Sequence, residues 1–229
     1  MMSEKTPEDK SNRQLIGKIL GSGVSALSAL SVIHPCFGVA GTAIRFIQQG
    51  LDDENIRTLQ REFSSVNETL DQLSQQHHKT LLRIKKGTLD GQYATAEQNL
   101  RHHFRMYLDM MQGDPDLHEQ KRNAFKERYS IDQGPKHLER LYEGVTGKSK
   151  VFSKPILGFY LEYSKGTDCA RCTMEELCKR LNYLFTIGLI ALMGYAAING
   201  YDEEDLREEW AEKMREVQEK MQEALKMCK

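Results

Sequence analysis

The feature that most constrains the fold is an uncharged stretch from Leu181 to Tyr201. It contains 21 residues without Asp, Glu, Lys, Arg or His, and basic residues precede it while acidic residues follow it. An α-helix rises ~1.5 Å per residue, so about 20 apolar residues cross the hydrocarbon of a bilayer. The stretch is therefore either a membrane-spanning helix or the buried central helix of a bundle, and the residue pattern favours neither.

Glycines inside this stretch recur at positions 188, 194 and 200. Each weakens a helix in water by about 1 kcal/mol relative to Ala, and glycine is more frequent in membrane helices than in soluble ones. If the helix spans a membrane, its basic end should be cytoplasmic. The side chains expected to contact lipid on insertion are the large apolar ones: Leu184, Phe185, Ile187, Leu189, Ile190, Leu192, Met193 and Ile198.

Composition favours an all-α protein that does not bind nucleic acid. The 229 residues include 32 basic and 33 acidic side chains, which give a net charge of −1 and no general field to attract DNA or RNA. Few alternations of β-branched residues and only five prolines favour helix over strand. Residues 15–229 are expected to form one domain.

The first residues are polar and mixed in charge. Residues 1–14 are expected to be a disordered arm. A secretory signal begins with a basic region and an apolar run, and neither is present, so no signal peptide is expected.

A second uncharged stretch runs from Ile19 to Ile44 and is rich in Ser, Gly and Ala, which allow close helix packing. Pro35 disfavours α geometry at His34, so we expect a kink at His34-Pro35 between two helices. A packed helical hairpin is the favoured interpretation, and insertion of 19–44 into a membrane is the alternative.

The most regular pattern lies between residues 52 and 86. Apolar residues there alternate spacings of three and four, which predicts a coiled-coil seam about 45 Å long. The seam consists of Ile56, Leu59, Phe63, Val66, Leu70 and Leu73, and its phase continues through His77. The C-terminal helix is expected to dock antiparallel on this seam through a matching apolar stripe: Leu206, Trp210, Met214, Val217, Met221 and Leu225.

Further helices are expected at about 93–111, 115–129, 135–145 and 155–164, and a capping box at Thr173 and Glu176 is expected to start the helix that contains 181–201. In the first of these helices, Arg101, His102, His103 and Arg105 form a basic cluster that we interpret as a solvated face. On the last helix, Glu209–Lys213 and Glu216–Lys220 have the spacing of ion pairs.

The odd count of five cysteines favours free thiols in a reducing compartment over a disulfide framework. Cys169 and Cys172 form a C-x-x-C pair, with Cys178 six residues later. A zinc site needs a fourth ligand, and a redox C-x-x-C is typical of a βαβ unit. We therefore expect packing cysteines, with a metal role as the less favoured alternative.

No catalytic chemistry is indicated by the sequence. A nucleophile with its base is not recognisable, and His77, His78, His102 and His103 are the only clustered histidines and form no complete metal set. The protein is not expected to be an enzyme or to need a cofactor.

Three blocks of the sequence resemble the rapunzel family of bony fishes: 33–38 (IHPCFG), 184–195 (LFTIGLIALMGY) and 209–221. The likeness covers nearly all of 15–229. That family is in turn more distantly similar to the cephalotoxin-like toxins of cuttlefish. The resemblance implies a role in fin and skeletal development without established enzymatic activity, and descent from membrane-damaging helical toxins.

The sequence thus predicts an all-α, elongated helical bundle with long heptad helices and a central apolar helix, resembling α-helical pore-forming proteins. Its expected partners are membrane lipid or another protein, including copies of itself, and its expected location is the cytoplasm or a membrane surface. The alternative is a soluble coiled-coil scaffold in which 181–201 never leaves the core.

Overall fold

The computed structural model describes residues 89–112, 115–148, 155–165 and 169–228, together with the isolated positions 57, 58, 61, 68 and 72. The four described ranges contain helices and no strand, so the predicted all-α bundle is confirmed. The elements are α1 (Leu89–Gln112), a short 3-10 helix (Pro115–Leu117), α2 (His118–Ile131), α3 (Gly134–Thr146), α4 (Ile156–Ser164), α5 (Ala170–Asn199) and α6 (Glu203–Met227).

Helix α5 contains the uncharged stretch and lies at the centre of the described bundle. It contacts α1, α2, α3, α4 and α6. Helix α1 also packs against α2 and α3, and α6 packs against α3 and α4. A helix that is hydrophobic all round has no face suited to water, so neighbours on every side are the arrangement expected for it in a soluble fold.

Helix α1 covers α5 with the apolar face that its sequence predicts. Leu100, Phe104, Tyr107 and Met111 are buried, and their spacings of three and four residues place them on one side of the helix. Burying a side chain of this size contributes about 1.5–3 kcal/mol. This face therefore accounts for much of the attachment of α1.

The turn between α2 and α3 brings a glycine against an aromatic ring. Gln133 has a left-handed backbone with φ of 55°, and α3 then starts at Gly134. A Cβ atom at Gly134 would collide with the ring of Tyr129, which lies directly over it. A side chain at position 134 therefore has no room beside Tyr129, and Asp132 and His137 lie on either side of this turn.

Helix α6 begins as predicted and buries the predicted stripe. The Asp205 amide donates to Asp202 Oδ1 at 3.5 Å, so Asp202 is the N-terminal cap. The stripe is buried at Trp210, Met214, Val217 and Met221, while Leu206 and Leu225 are partly buried. Its described partners are α3, α4 and α5.

One of the two ion pairs predicted on α6 is confirmed. Lys213 Nζ lies 2.6 Å from Glu209 Oε1. In the second pair, the direct salt bridges are Glu216–Lys148 at 2.6 Å and Lys220–Glu223 at 2.9 Å. Glu216 and Lys220 still attract each other, since Lys148 and also Lys220 hold the pKa of Glu216 below its usual value. The fold brings Lys148 to Glu216 from the end of α3, which the local spacing on α6 could not indicate.

The start predicted for the central helix is also wrong. Helix α5 begins at Ala170 with Cys169 as its cap. Thr173 is already inside the helix, where its hydroxyl donates to the Cys169 carbonyl at 3.1 Å.

Several predictions lie outside the described residues. They concern the arm 1–14, the stretch 19–44 with its kink at His34-Pro35, and His77 and His78. The six seam residues from Ile56 to Leu73 also lie outside them, as does the docking of α6 on that seam.

Candidate functional site

The predicted membrane-contacting side chains of α5 are inside the protein. Leu184, Phe185, Ile187, Leu189, Ile190, Leu192 and Met193 are buried, and Ile198 is half-buried against the same core. Helix α5 is the one helix in the described ranges that is long and apolar enough to span a membrane, and 83% of its most apolar window is buried. The central helix of a water-soluble protein meets the same criteria of length and composition.

Gly188 sets how closely α5 approaches its neighbours. A Cβ atom built there would lie 2.6 Å from Leu138 Cδ1 on α3 and 2.9 Å from Leu100 Cδ2 on α1. Both distances are too short for real carbon contacts. The glycine therefore lets the side chains of two other helices rest directly on the backbone of α5 at the middle of its apolar stretch.

At the N-terminal end of the apolar stretch, Glu97 of α1 lies between two arginines. Arg180 of α5 donates to Glu97 Oε2, and Arg101 Nη1 lies 3.8 Å from Glu97 Oε1. The side chains of Arg180 and Glu97 are 14% and 13% exposed. Burial and the nearby charges of Arg105 and Arg180 lower the pKa of Arg101. We call Glu97, Arg101 and Arg180 the charged end of α5.

At the opposite end, three rings follow one another from α5 into the bundle. The ring of Tyr195 on α5 lies 4.7 Å from that of Tyr129, whose ring lies 4.8 Å from that of His103 on α1. Burial raises the pKa of the Tyr129 phenol well above its usual range. Tyr129 is thus a neutral, fully packed ring between α1 and α5. We call Tyr195, Tyr129 and His103 the ring end of α5.

Two buried histidines meet the turn between α2 and α3 at this ring end. His103 Nε2 lies 3.2 Å from Asp132 Oδ2, and His137 Nε2 lies 2.9 Å from the Asp132 backbone oxygen. Arg128 Nε also donates to Asp132 Oδ2 at 2.8 Å. The Nδ1 atoms of both histidines are buried without a hydrogen-bond partner among the described residues.

Burial controls the protonation of this pair. It lowers the pKa of His103, against the opposing effect of Asp132, and it lowers the pKa of His137 in the same way. Burial disfavours ionisation of Asp132, but the hydrogen bonds from His103 and Arg128 together hold the pKa of that carboxyl below its usual value. At neutral pH, burial therefore favours the neutral form of both imidazoles, next to the carboxylate of Asp132.

The sequence of this helical bundle is similar to known proteins. The family model described as "Cephalotoxin-like middle helical domain" matches residues 49–229. Protein rapunzel of the zebrafish, Danio rerio, is 47% identical over 221 residues, which cover 96% of each chain. The chain belongs to the rapunzel family. No solved structure matches.

In this member of the rapunzel family, the interpretation of the basic cluster on α1 is wrong for one residue. His103 is completely buried, whereas its neighbours His102 and Arg105 are exposed. The sequence held a signal for this: position 103 lies three residues after Leu100 and four before Tyr107, on the buried face. Asp132, 29 residues away, could not be identified as its partner from the sequence.

The cysteine prediction is wrong for two residues. Cys169 and Cys172 are joined by a disulfide at the start of α5, whereas Cys178 and Cys228 are free and buried. Residues 169 and 172 are one helical turn apart at a helix start, with Cα atoms 5.3 Å apart, which suits a disulfide without any βαβ unit. Among the described residues, no group of three His, Cys, Asp or Glu side chains is placed to hold a metal ion.

Proposed function

We propose that this rapunzel-family protein acts at membranes by non-enzymatic insertion, with a soluble form that buries α5 and a bound form that inserts it. The observation that carries the proposal is the combination found in α5. It is long and apolar enough to span a bilayer, charged residues border its apolar stretch, and five other helices contact it so that 83% of its most apolar window is buried.

The kinds of contact along α5 support a helix that can be released from the bundle. The middle of α5 is buried mainly through apolar residues such as Leu189 and Ile190, and a bilayer can replace their contacts at little cost. The Arg180–Glu97 pair is a polar contact between α5 and another helix, and it lies at the edge of the apolar stretch, where it would remain near a membrane surface.

The family supports the same proposal. The matching domain is described as cephalotoxin-like, and descent from membrane-damaging helical toxins is what that resemblance implies. We extend the proposal to 19–44 as a second inserting segment and to self-association on the membrane. The soluble form is proposed to be cytoplasmic.

Depth-dependent fluorescence quenching tests insertion directly, because Trp210 is the single tryptophan of the chain. It is buried on α6, outside the proposed inserting helix. In the variant Trp210→Phe/Tyr195→Trp, the reporter is moved to α5. Lipids brominated on their acyl chains should quench the moved tryptophan strongly, whereas Trp210 of the unaltered chain serves as the matched control and should be quenched much less.

Two outcomes would reject insertion. The first is equal, weak quenching of both tryptophans over a range of pH and lipid charge. The second is complete release of the protein from cell membranes by alkaline carbonate, which removes peripheral proteins and leaves inserted ones. Leakage of dye from liposomes should accompany insertion, and intact liposomes would weigh against a pore.

A second candidate function is a soluble interaction protein in which α5 always stays in the core. The fit of Leu100 and Leu138 over Gly188 favours it, because such close packing stabilises one folded state. This candidate predicts a monodisperse species in aqueous buffer without detergent, the same at all lipid concentrations. Its partner would be another protein or a second copy of the chain.

The role in fin and skeletal development is proposed from the family alone. Inactivation of the gene in its own species should alter the form of the fins or the skeleton. Normal fins and skeleton in such animals would contradict the role, whichever of the two physical behaviours is correct.

A further inference from the structure

The disulfide between Cys169 and Cys172 lies at the protein surface. Both residues are exposed, and Cys169 is the N-terminal cap of α5. The Cys172 amide donates to Cys169 Sγ at 3.1 Å, so the sulfur occupies the place that a capping oxygen usually takes. An exogenous thiol can therefore reach the disulfide without unfolding of the helix.

The position of Cys169 favours a thiolate once the disulfide is reduced. The first amides of a helix have no partner within it, and the helix N-terminus carries a partial positive charge. The first turn of α5 contains no acidic residue to oppose that charge. Cysteines in such positions have lowered pKa values and increased reactivity at neutral pH.

The other two described cysteines are neither exposed nor placed at the start of a helix. Cys178 and Cys228 are free and buried. Burial raises the pKa of Cys178 to about 12, and burial also raises the pKa of Cys228. These two thiols resist ionisation and oxidation. The same end of the bundle therefore holds one reactive pair and one inert pair, which serve as internal controls for each other.

We propose that Cys169 and Cys172 form a reversible thiol–disulfide exchange site whose substrates are disulfides and dithiols of other proteins or small thiols. In the reduced form, the Cys169 thiolate attacks a substrate disulfide, forms a mixed disulfide and releases one substrate thiolate. The Cys172 thiolate then attacks the Cys169 sulfur, restores the internal disulfide and releases the second substrate thiolate. Two electrons pass to the substrate, and a dithiol returns them by the reverse steps.

The exchange site is independent of membrane insertion, so either proposal can fail alone. The full chain is equilibrated in buffers with varied ratios of reduced to oxidised dithiothreitol and then trapped by alkylation. With Cys36 replaced by Ser, intact mass should show one two-electron transition, with two alkyl groups added on reduction. Cys178→Ser/Cys228→Ser should retain the transition, and Cys169→Ser and Cys172→Ser should each abolish it.

A second measurement follows the nucleophile itself. In Cys172→Ser, the rate of alkylation of Cys169 should reach half its maximum at least about one pH unit below the ~8.5 of an ordinary thiol. With glutathione disulfide as the substrate, this variant should accumulate a mixed disulfide at Cys169, whereas the unaltered reduced chain should resolve it.

Three results would overturn the proposal. One is a disulfide that excess dithiothreitol does not reduce in the folded chain. Another is a Cys169 that is alkylated no faster than an ordinary thiol. The third is a mixed disulfide with glutathione that persists at Cys169 in the unaltered chain, because Cys172 would then not act as the resolving residue.

Discussion

The two ends of α5 are held by different kinds of contact. The charged end joins α5 to α1 through Arg180 and Glu97, and the ring end joins α5 to α2 and α1 through Tyr129 and His103. Salt screens charged contacts, whereas it has little effect on packed rings. Acid protonates histidine and leaves arginine unchanged. The difference indicates that solution conditions can loosen one end of the helix and leave the other in place.

The largest expected effect comes from removing the central ring of the ring end. Tyr129→Ala leaves a cavity between α1, α2 and α5, so we expect a loss of about 3–5 kcal/mol in the free energy of unfolding. Urea titration followed by far-UV circular dichroism measures it. The control is Tyr201→Ala, because Tyr201 contacts Tyr195 from an exposed position. A change below about 1 kcal/mol for Tyr129→Ala would show that the ring end contributes little.

Acid should destabilise the protein at the ring end of α5. The pKa of His103 and that of His137 are lowered from 6.5 in the folded chain, so the unfolded state binds more protons as the pH falls. The stabilisation is fully present above about pH 6.5 and is lost as the pH falls from there towards the folded pKa values. The titratable or charged groups around the two imidazoles are Asp132, Arg128, His102, Tyr129 and Arg140.

Urea titrations at about pH 7.5 and about pH 5.5 measure this effect. His103→Gln should reduce the difference between the two values of the free energy of unfolding. His102→Gln, on the exposed neighbour, should leave that difference unchanged. Equal acid sensitivity in the unaltered chain and His103→Gln would remove His103 as its cause.

The charged end should respond to substitution and salt. Glu97→Gln leaves two partly buried arginines without their carboxylate, so we expect a loss of about 1–3 kcal/mol that shrinks at high salt. Glu119→Gln is the control, because Glu119 pairs with Arg122 at an exposed position at 3.7 Å. The loss in the free energy of unfolding for Glu119→Gln should stay below about 0.5 kcal/mol. A Glu97→Gln effect that is independent of salt would contradict an electrostatic origin.

The smallest expected change in the free energy of unfolding comes from the middle of α5, between its two ends. Gly188→Ala forces Leu100 and Leu138 away, which should cost about 1–2 kcal/mol after the gain in helix propensity. Gly158→Ala on α4 is the control, because its Cβ would lie 3.7 Å from Pro155 Cδ, an ordinary contact. It should stabilise by up to about 1 kcal/mol. If both variants change the free energy of unfolding in the same direction, the packing at Gly188 is looser than its geometry indicates.

The helices and the central place of α5 could be predicted because periodicity and the absence of charge are local properties. The buried faces of α1 and α6 follow from the same spacings, as Phe104 and Met214 illustrate. Predictions failed where the deciding partner is remote in sequence. Glu216 forms its direct salt bridge with Lys148, which the fold brings from 68 residues away, whereas its neighbour Lys220 attracts it without that contact.

The disulfide could not be predicted for a different reason. The spacing of Cys169 and Cys172 indicates a pair, but the requirement for a βαβ unit is too strict, since the start of α5 brings the two Cα atoms to 5.3 Å without one. Whether α5 enters lipid is also outside the reach of the sequence, because the same apolar residues satisfy a protein core and a bilayer.

The short connection between α5 and α6 limits every rearrangement of this protein. It consists of residues 200–202, which reach roughly 10 Å even when extended. If α5 crosses a bilayer, the start of α6 must stay at the surface where α5 emerges. The carboxylates at that start would then face the lipid headgroups, so a leaflet rich in anionic lipid would repel it, and crossing should be easiest when α5 emerges from a neutral leaflet.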